Sequence, residues 1–223
     1  SSFDEMLEDS ELEAVVIAAE HGRALLEVRL LDLERVARER RPPCDQLVDD
    51  RPERVDISGG SDVANAAALS TIVIDVRGGR FGPVPARIVL IGFSTGGLAT
   101  LLAAARTPGI TGWVGLDPVD RDGEGLHVAA RVSAPAIMLR AAPHSCNAWA
   151  NSHSWGSFLP RMQRDALMES ATHCDFQNPG DPVCSVACGA PDPQRQAAIR
   201  AEVAAAVEDV DVDAQVGALE EGL

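Results

Sequence analysis

Lysine is absent from the chain. Arginine supplies every basic side chain, and 19 basic residues stand against 34 acidic ones, for a net charge of −15 over 223 residues. Binding to a polyanion needs clustered cations, so this balance argues against nucleic acid and anionic membrane surfaces as partners. The acidity reads as a solubility device. No apolar run approaches the roughly 20 residues needed to cross a bilayer, so a soluble chain with no transmembrane segment is expected. Ser1-Ser2-Phe3-Asp4-Glu5 lacks the basic and apolar regions of a signal peptide; a trimmed chain lacks them too, so this decides little. Paired C-x₂-C spacing is missing, which leaves no tetrahedral zinc set, and neither a metal nor another cofactor is expected. Internal repeats and low-complexity linkers are also missing. With 46% hydrophobic residues, the length suits one domain over 1–223, its acidic ends 1–13 and 208–223 expected to be mobile. Oligomeric state leaves no mark on the sequence.

What is present centres on Ile88 to Thr100. Ile88-Val89-Leu90-Ile91 reads as a buried strand, Gly92-Phe93-Ser94-Thr95-Gly96 follows, and the Ala/Leu run from Leu98 to Ala105 reads as a buried helix. Strand, Gly-x-Ser-x-Gly and helix together form a nucleophile elbow. The turn strains the serine backbone and lifts its hydroxyl out of the sheet. Gly92 and Gly96 stand where a Cβ would not fit. The helix aims its first N–H groups at an oxyanion formed there.

Upstream, two readings of residues 13–41 stay open. Ala14–Ala19 and Ala24–Leu31 make a hairpin, or only the first is a strand and a helix runs from Ala24 to about Arg41, with Leu30, Leu33 and Val36 on one face. No strand is read between Pro43 and Ser61. Ser61 is a plausible N-cap for a helix whose end, Thr71–Val76, borrows β-branched residues. Downstream, Thr111–Leu116, Pro135–Leu139 and Asp165–Ala171 read as strands. Phe158–Gln163 reads as a short helix, Pro143–Gly156 as a long polar loop, and Pro193–Val207 as a final surface helix. Strands alternating with helices define an α/β domain with a mostly parallel sheet flanked by helices. Ligands in such sheets bind at the carboxyl ends of the strands.

Ser94, Asp117 and His173 each follow a predicted strand at that edge. Ser94 is the candidate nucleophile, His173 the base and Asp117 the group that orients the imidazole. Asp120 and Asp122 compete with Asp117, which sits directly at its strand end. The loop after Leu139 holds no carboxylate, which favours Asp117. A turn-capping role is the structural alternative for it. His127, His144 and His153 lie in a short element or in polar loops; His173 follows a late strand. The Thr95 N–H is one candidate oxyanion donor. Gly22 is the other, under the strand-then-helix reading. Phe93, Trp149 and Trp155 could line a substrate pocket or pack against the sheet.

With these motifs in view, the chain resembles chlorophyllase-like and lipase-like serine esterases of the α/β-hydrolase superfamily. Gly92-Phe93-Ser94-Thr95-Gly96-Gly97 is similar to the G-H-S-x-G-G elbow of chlorophyllases, cutinase-like polyesterases and lipases, with Phe93 in place of the usual histidine or tyrosine. Gly115-Leu116-Asp117-Pro118-Val119-Asp120 resembles both the D-P-V-D segment of chlorophyllases and the G-L-D-P segment of pancreatic-type lipases. Ala171-Thr172-His173-Cys174-Asp175-Phe176 resembles the histidine loop of bacterial members. The resemblance spans about 62–207. It implies the α/β-hydrolase fold, a Ser-Asp-His triad and hydrolysis of a small or polymeric carboxylic ester through an acyl-enzyme. Residues 1–61 follow the family pattern only faintly, so an incomplete or atypical N-terminal part is expected. The alternatives are an α/β-hydrolase acting on another acyl or amide bond, and a silent hydrolase-fold binding protein.

Four of the five cysteines, Cys146, Cys174, Cys184 and Cys188, cluster in a loop-rich region. That clustering suggests disulfides and a secreted or periplasmic enzyme. Four cysteines allow three pairings. Cys146 and Cys174 lie in loops over one sheet edge, which favours a bridge between them. The rival pairs Cys174 with Cys184 or Cys188.

Overall fold

The computed structural model describes residues 15–18, 25–29, 54–56, 61–82, 84–177, 180 and 182–221; for 15–18, 25–29, 54–56 and 211–221 it describes the backbone. Three strands, β1 (Val15–Ala18), β2 (Leu25–Arg29) and β3 (Arg54–Asp56), precede helix α1 (Asp62–Arg77). Strand β4 (Val89–Phe93), helix α2 (Thr95–Ala104), strand β5 (Gly112–Leu116), the short helix α3 (Glu124–Val128) and strand β6 (Ala136–Arg140) follow. A 3-10 helix (Ser145–Ser157), strand β7 (Met162–Leu167), helix α4 (Pro182–Cys188) and helix α5 (Pro193–Glu221) complete the order.

The strands form one sheet in the order β3-β2-β1-β4-β5-β6-β7. From β1 through β7 neighbouring pairs are parallel, while β2 and β3 are antiparallel additions at the far edge. Continuous apolar runs suit the middle of such a sheet, because both faces are covered. Every residue of β4, β5 and β6 is buried. Side chains alternate between the faces, as the two-residue strand period requires. Leu90, Trp113 and Met138 pack with Leu69, Val73, Leu101 and Leu102 on the side of α1 and α2. Ile91, Val114, Ile137 and Leu139 pack with Ile199, Val203, Val207 and Val210 of α5 on the other.

Ser61 caps α1, its side chain accepting from the Ala64 N–H, and the β-branched residues at 71–76 are helical. Their burial at 72, 73 and 76 offsets a weak helix propensity. The antiparallel pairing of β1 with β2, Val16 opposite Val28, decides for the hairpin against a helix beginning at Ala24. Strand β3 was not foreseen: three residues, two of them charged, carry no periodicity signal, and pairing with β2 creates the strand. The expected helix Phe158–Gln163 does not form. Phe158 instead ends the 3-10 helix, and β7 begins at Met162, three residues before the expected strand. This edge strand is half-exposed and polar, so its sequence hides it. The polar loop 143–156 falls largely within that 3-10 segment, which is broken by a non-helical kink at Asn147–Ala150. Helix α5 extends past Val207 to Glu221, through most of the stretch expected to be a mobile tail, and Val210 is fully buried. Residues 1–13 lie outside the described set. No described helix is long and apolar enough to cross a membrane.

Candidate active site

Parallel strands put their carboxyl ends on one edge, and three of them deliver the site. Between β4 and α2 the chain turns at Ser94, with φ 53° and ψ −126°, a conformation that non-glycine residues rarely adopt. Close packing imposes it. A Cβ at Gly92 would stand 2.3 Å from Thr100 Oγ1 and 2.4 Å from the Gly96 carbonyl oxygen. One at Gly97 would stand 2.6 Å from Pro118. The Ser94 N–H donates to the Leu116 carbonyl, and the Ser94 carbonyl accepts from Gly97 and Val119. The elbow is thus tied to the end of β5, where Asp117 begins the next turn at φ 40°.

The structure brings Ser94, His173 and Asp117 together. His173 Nε2 lies 3.0 Å from Ser94 Oγ, and His173 Nδ1 lies 2.6 Å from Asp117 Oδ2. With the ring proton on Nδ1, the serine hydroxyl donates to Nε2 and the imidazole donates to the carboxylate. All three residues are buried. Phe93 is also buried, its ring centroid 4.7 Å from that of His173, so it braces the imidazole. Asp117 Oδ1 accepts from the Ala141 N–H at 3.0 Å. The Asn147 amide donates to both carboxylate oxygens at 3.2 and 3.3 Å. An aligned hydroxyl, imidazole and carboxylate can move a proton off the serine oxygen and return it.

His173 opens a 3-10 turn, His173–Phe176, anchored by the buried carboxylate of Asp175. Asp175 accepts from the Thr172 N–H and hydroxyl, the Asp192 N–H and Arg195 Nε. Burial alone would raise its pKa. The Arg195 hydrogen bond, with those from Asp192 and Thr172, outweighs burial and holds Asp175 below the ordinary carboxylate value. The same partner raises the Arg195 pKa, Asp192 adding to it against a smaller desolvation effect.

The disulfides are Cys146–Cys188 and Cys174–Cys184, so the expected Cys146–Cys174 bridge does not form. Each of the two loops is instead clipped to helix α4. Cys184 and Cys188, one helical turn apart, present their sulfurs on one side. The sulfurs of Cys174, Cys184 and Cys188 lie within 4.8 Å of one another, but each is bonded in a disulfide rather than offered as a thiolate ligand.

Other candidates take structural places. The Asp120 carboxylate accepts from the Gly125 and Leu126 N–H groups and from Trp155 Nε1, capping α3. Asp122 sits in a surface turn at φ 59°. Trp155 is not a pocket wall: it is fully buried, with its ring 6.2 Å from that of Trp113 in the core beneath α2. Trp149 is 69% exposed, beside His144. Thr95 is the first residue of α2. Gly22 lies outside the described residues, and the hairpin removes the reading that nominated it. Asn147, Asp175 and Arg195 were missed. Thr172-x-x-Asp175 has capping-box spacing and could have revealed Asp175; Asn147 carries no such signal.

No protein-family model matches the sequence, and no curated protein matches it. Among solved structures, a Klebsiella pneumoniae protein provisionally assigned as a dienelactone hydrolase is similar in fold. Its TM-score is 0.51 at 14% identity, over 89% of this chain and 87% of that one. At that identity the likeness extends to the fold: this chain has the α/β-hydrolase fold. It does not reach the chlorophyllase-, cutinase- or lipase-like resemblance of the motifs.

Proposed function

We propose that the protein is a serine hydrolase acting on carboxylic esters through an acyl-enzyme, with Ser94 as nucleophile, His173 as general base and acid, and Asp117 as the carboxylate that orients the imidazole. The observation that carries this reading is the unbroken contact from Ser94 Oγ through His173 to Asp117 at the carboxyl edge of the sheet. Ser94 Oγ attacks the carbonyl carbon as its proton passes to His173 Nε2. The imidazolium, stabilised by Asp117, protonates the departing alkoxide and leaves an acyl-serine. Water repeats the step: His173 takes its proton, the hydroxide oxygen attacks the acyl carbon, and Ser94 regains its proton as the acid departs.

The Thr95 N–H at the start of α2 is the first oxyanion donor in this scheme. The pairing of Ala18 with Gly92 sets the carboxyl end of β1 beside the elbow. Trp149, exposed beside His144, is a candidate substrate contact, while Phe93 is packed behind the imidazole. The motif resemblance points to chlorophyllase-like or lipase-like esters, small or polymeric. The disulfides suit an oxidising compartment, so secretion or a periplasmic site belongs to the same proposal.

The test is a fluorophosphonate probe followed by peptide mapping, then p-nitrophenyl esters of rising chain length. Labelling at Ser94 and turnover lost in Ser94→Ala are expected. A folded sample that is not labelled at Ser94 would sink the proposal. Ser94 labelling without ester turnover would turn the search to thioesters, lactones and amides. A site that neither labels nor turns over would favour a binding role.

A further inference from the structure

We propose that Asn147 is a positioning residue for Asp117, holding its carboxylate at the angle that His173 Nδ1 meets; the inference rests on the hydrolase reading above. A carboxylate at a strand end is free to turn about its Cβ–Cγ bond unless its oxygens are held. Here His173 takes Oδ2, the Ala141 N–H takes Oδ1, and the Asn147 amide nitrogen spans both oxygens.

The orientation of that amide is dictated by its other end. Asn147 Oδ1 accepts from the His144 N–H at 2.8 Å and the Ala150 N–H at 3.0 Å, while Nδ2 also donates to the Ala142 carbonyl at 3.0 Å. A flipped amide would set NH₂ against two N–H donors and oxygen against a carboxylate. Asn147 is fully buried, so neither mismatch would be relieved by water.

The backbone around it is strained in a way a plain connection does not require. Ala148, Trp149 and Ala150 follow at φ 49°, 60° and 55°, three consecutive non-glycine residues in the left-handed region. Such residues persist only where their surroundings over-determine them, and they gather at functional sites. The surroundings here are Asn147 itself, which ties His144 to Ala150 across the turn, and the Cys146–Cys188 bridge immediately before it. The left-handed turn, the bridge and the amide together aim the Asn147 amide nitrogen at both oxygens of one carboxylate.

Asn147→Asp separates holding the turn from holding Asp117. It keeps an oxygen for the His144 and Ala150 N–H groups but faces Asp117 with an oxygen instead of a donor. Asn147→Ala removes both functions. The His173 imidazole is titrated by NMR, a readout that needs no substrate, and the rate of Ser94 labelling by a fluorophosphonate is followed alongside. A second carboxylate beside Asp117 favours the imidazolium, so the His173 pKa should rise by about half a unit or more in Asn147→Asp. Labelling should slow by roughly 10–100-fold in Asn147→Ala, the scale expected when a reacting group is misplaced. Titration and labelling unchanged within twofold in both variants would overturn the proposal. Failure of both variants to fold would also overturn it, by assigning Asn147 to the fold alone. If wild-type Ser94 resists labelling yet His173 still shifts in Asn147→Asp, the positioning stands and the hydrolase reading fails.

Discussion

Between Gly92 and Gly97 the chain is held by close packing of its own backbone on the Gly96 carbonyl, Thr100 and Pro118, with no room for a Cβ at either glycine. Between Thr172 and Arg195, and again around Asn147, it is held by side chains: a buried carboxylate, an amide and two disulfides. The first region is one continuous stretch of chain, a strand running into a helix. The second joins loops that follow β6 and β7 to a short helix and to the start of α5. A local turn can be made rigid by small residues alone. Groups that meet across 56 and 79 residues of sequence need cross-links between their loops.

Substitutions that touch one region and spare the other should expose this difference. The largest effect is expected from Ser94→Ala, which should lower ester turnover by a factor of about 10⁴–10⁶, the scale of losing a catalytic serine. Its unfolding temperature should not fall, because alanine occupies the same space without the hydroxyl. Gly92→Ala should damage fold and activity together. The new methyl meets the Gly96 backbone and Thr100, and a loss of about 4 kcal/mol or more in a denaturant titration is expected.

The disulfides should divide the regions more cleanly. By loop-closure entropy, removing Cys146–Cys188 (separation 42) should cost about 4 kcal/mol, and removing Cys174–Cys184 (separation 10) about 3 kcal/mol, as Cys→Ser pairs. The elbow contains no cysteine. Mild reductant should therefore lower turnover before the far-UV circular dichroism of the core changes. A reduced protein with full activity would remove the bridges from the account of the site.

The smallest effect is expected at Asp175. Asp175→Asn weakens the anchor to Arg195 and should cost about 1.5–3 kcal/mol at neutral pH, the range for a hydrogen bond to a charged group. The pH dependence has a definite sign. Native Asp175 has a pKa below its unfolded value of 3.8, so its contribution is complete above that value and is lost as pH falls through the lower native one. Wild type and Asp175→Asn should differ in denaturant midpoint at pH 7 and converge on acidification below about pH 3.8.

The same division separates what could be read from the residues from what could not. Val89-Leu90-Ile91-Gly92-Phe93-Ser94 declares strand and turn because every requirement is local. Burial demands apolar residues, and close packing demands glycines. Asp117 and His173 could be nominated because each follows a strand and parallel strands share an edge. Strand β3 and the start of β7 were hidden, because short, polar edge strands acquire their structure from a neighbour rather than from a pattern.

By itself the sequence determined the α/β alternation and the central buried strands. It also determined the elbow around Ser94 and the order in which serine, aspartate and histidine reach the sheet edge. These follow from hydrophobic periodicity and backbone sterics, which act over a few residues. Only the tertiary structure decided which cysteines pair, that Trp155 belongs to the core, that Asn147 bonds Asp117, and that Asp175 anchors the turn carrying His173. Those outcomes depend on which loops lie side by side once the sheet has formed. Spacing along the chain carries no record of that proximity: Asn147 lies 30 residues from Asp117 in sequence and 3.2 Å from its carboxylate in space.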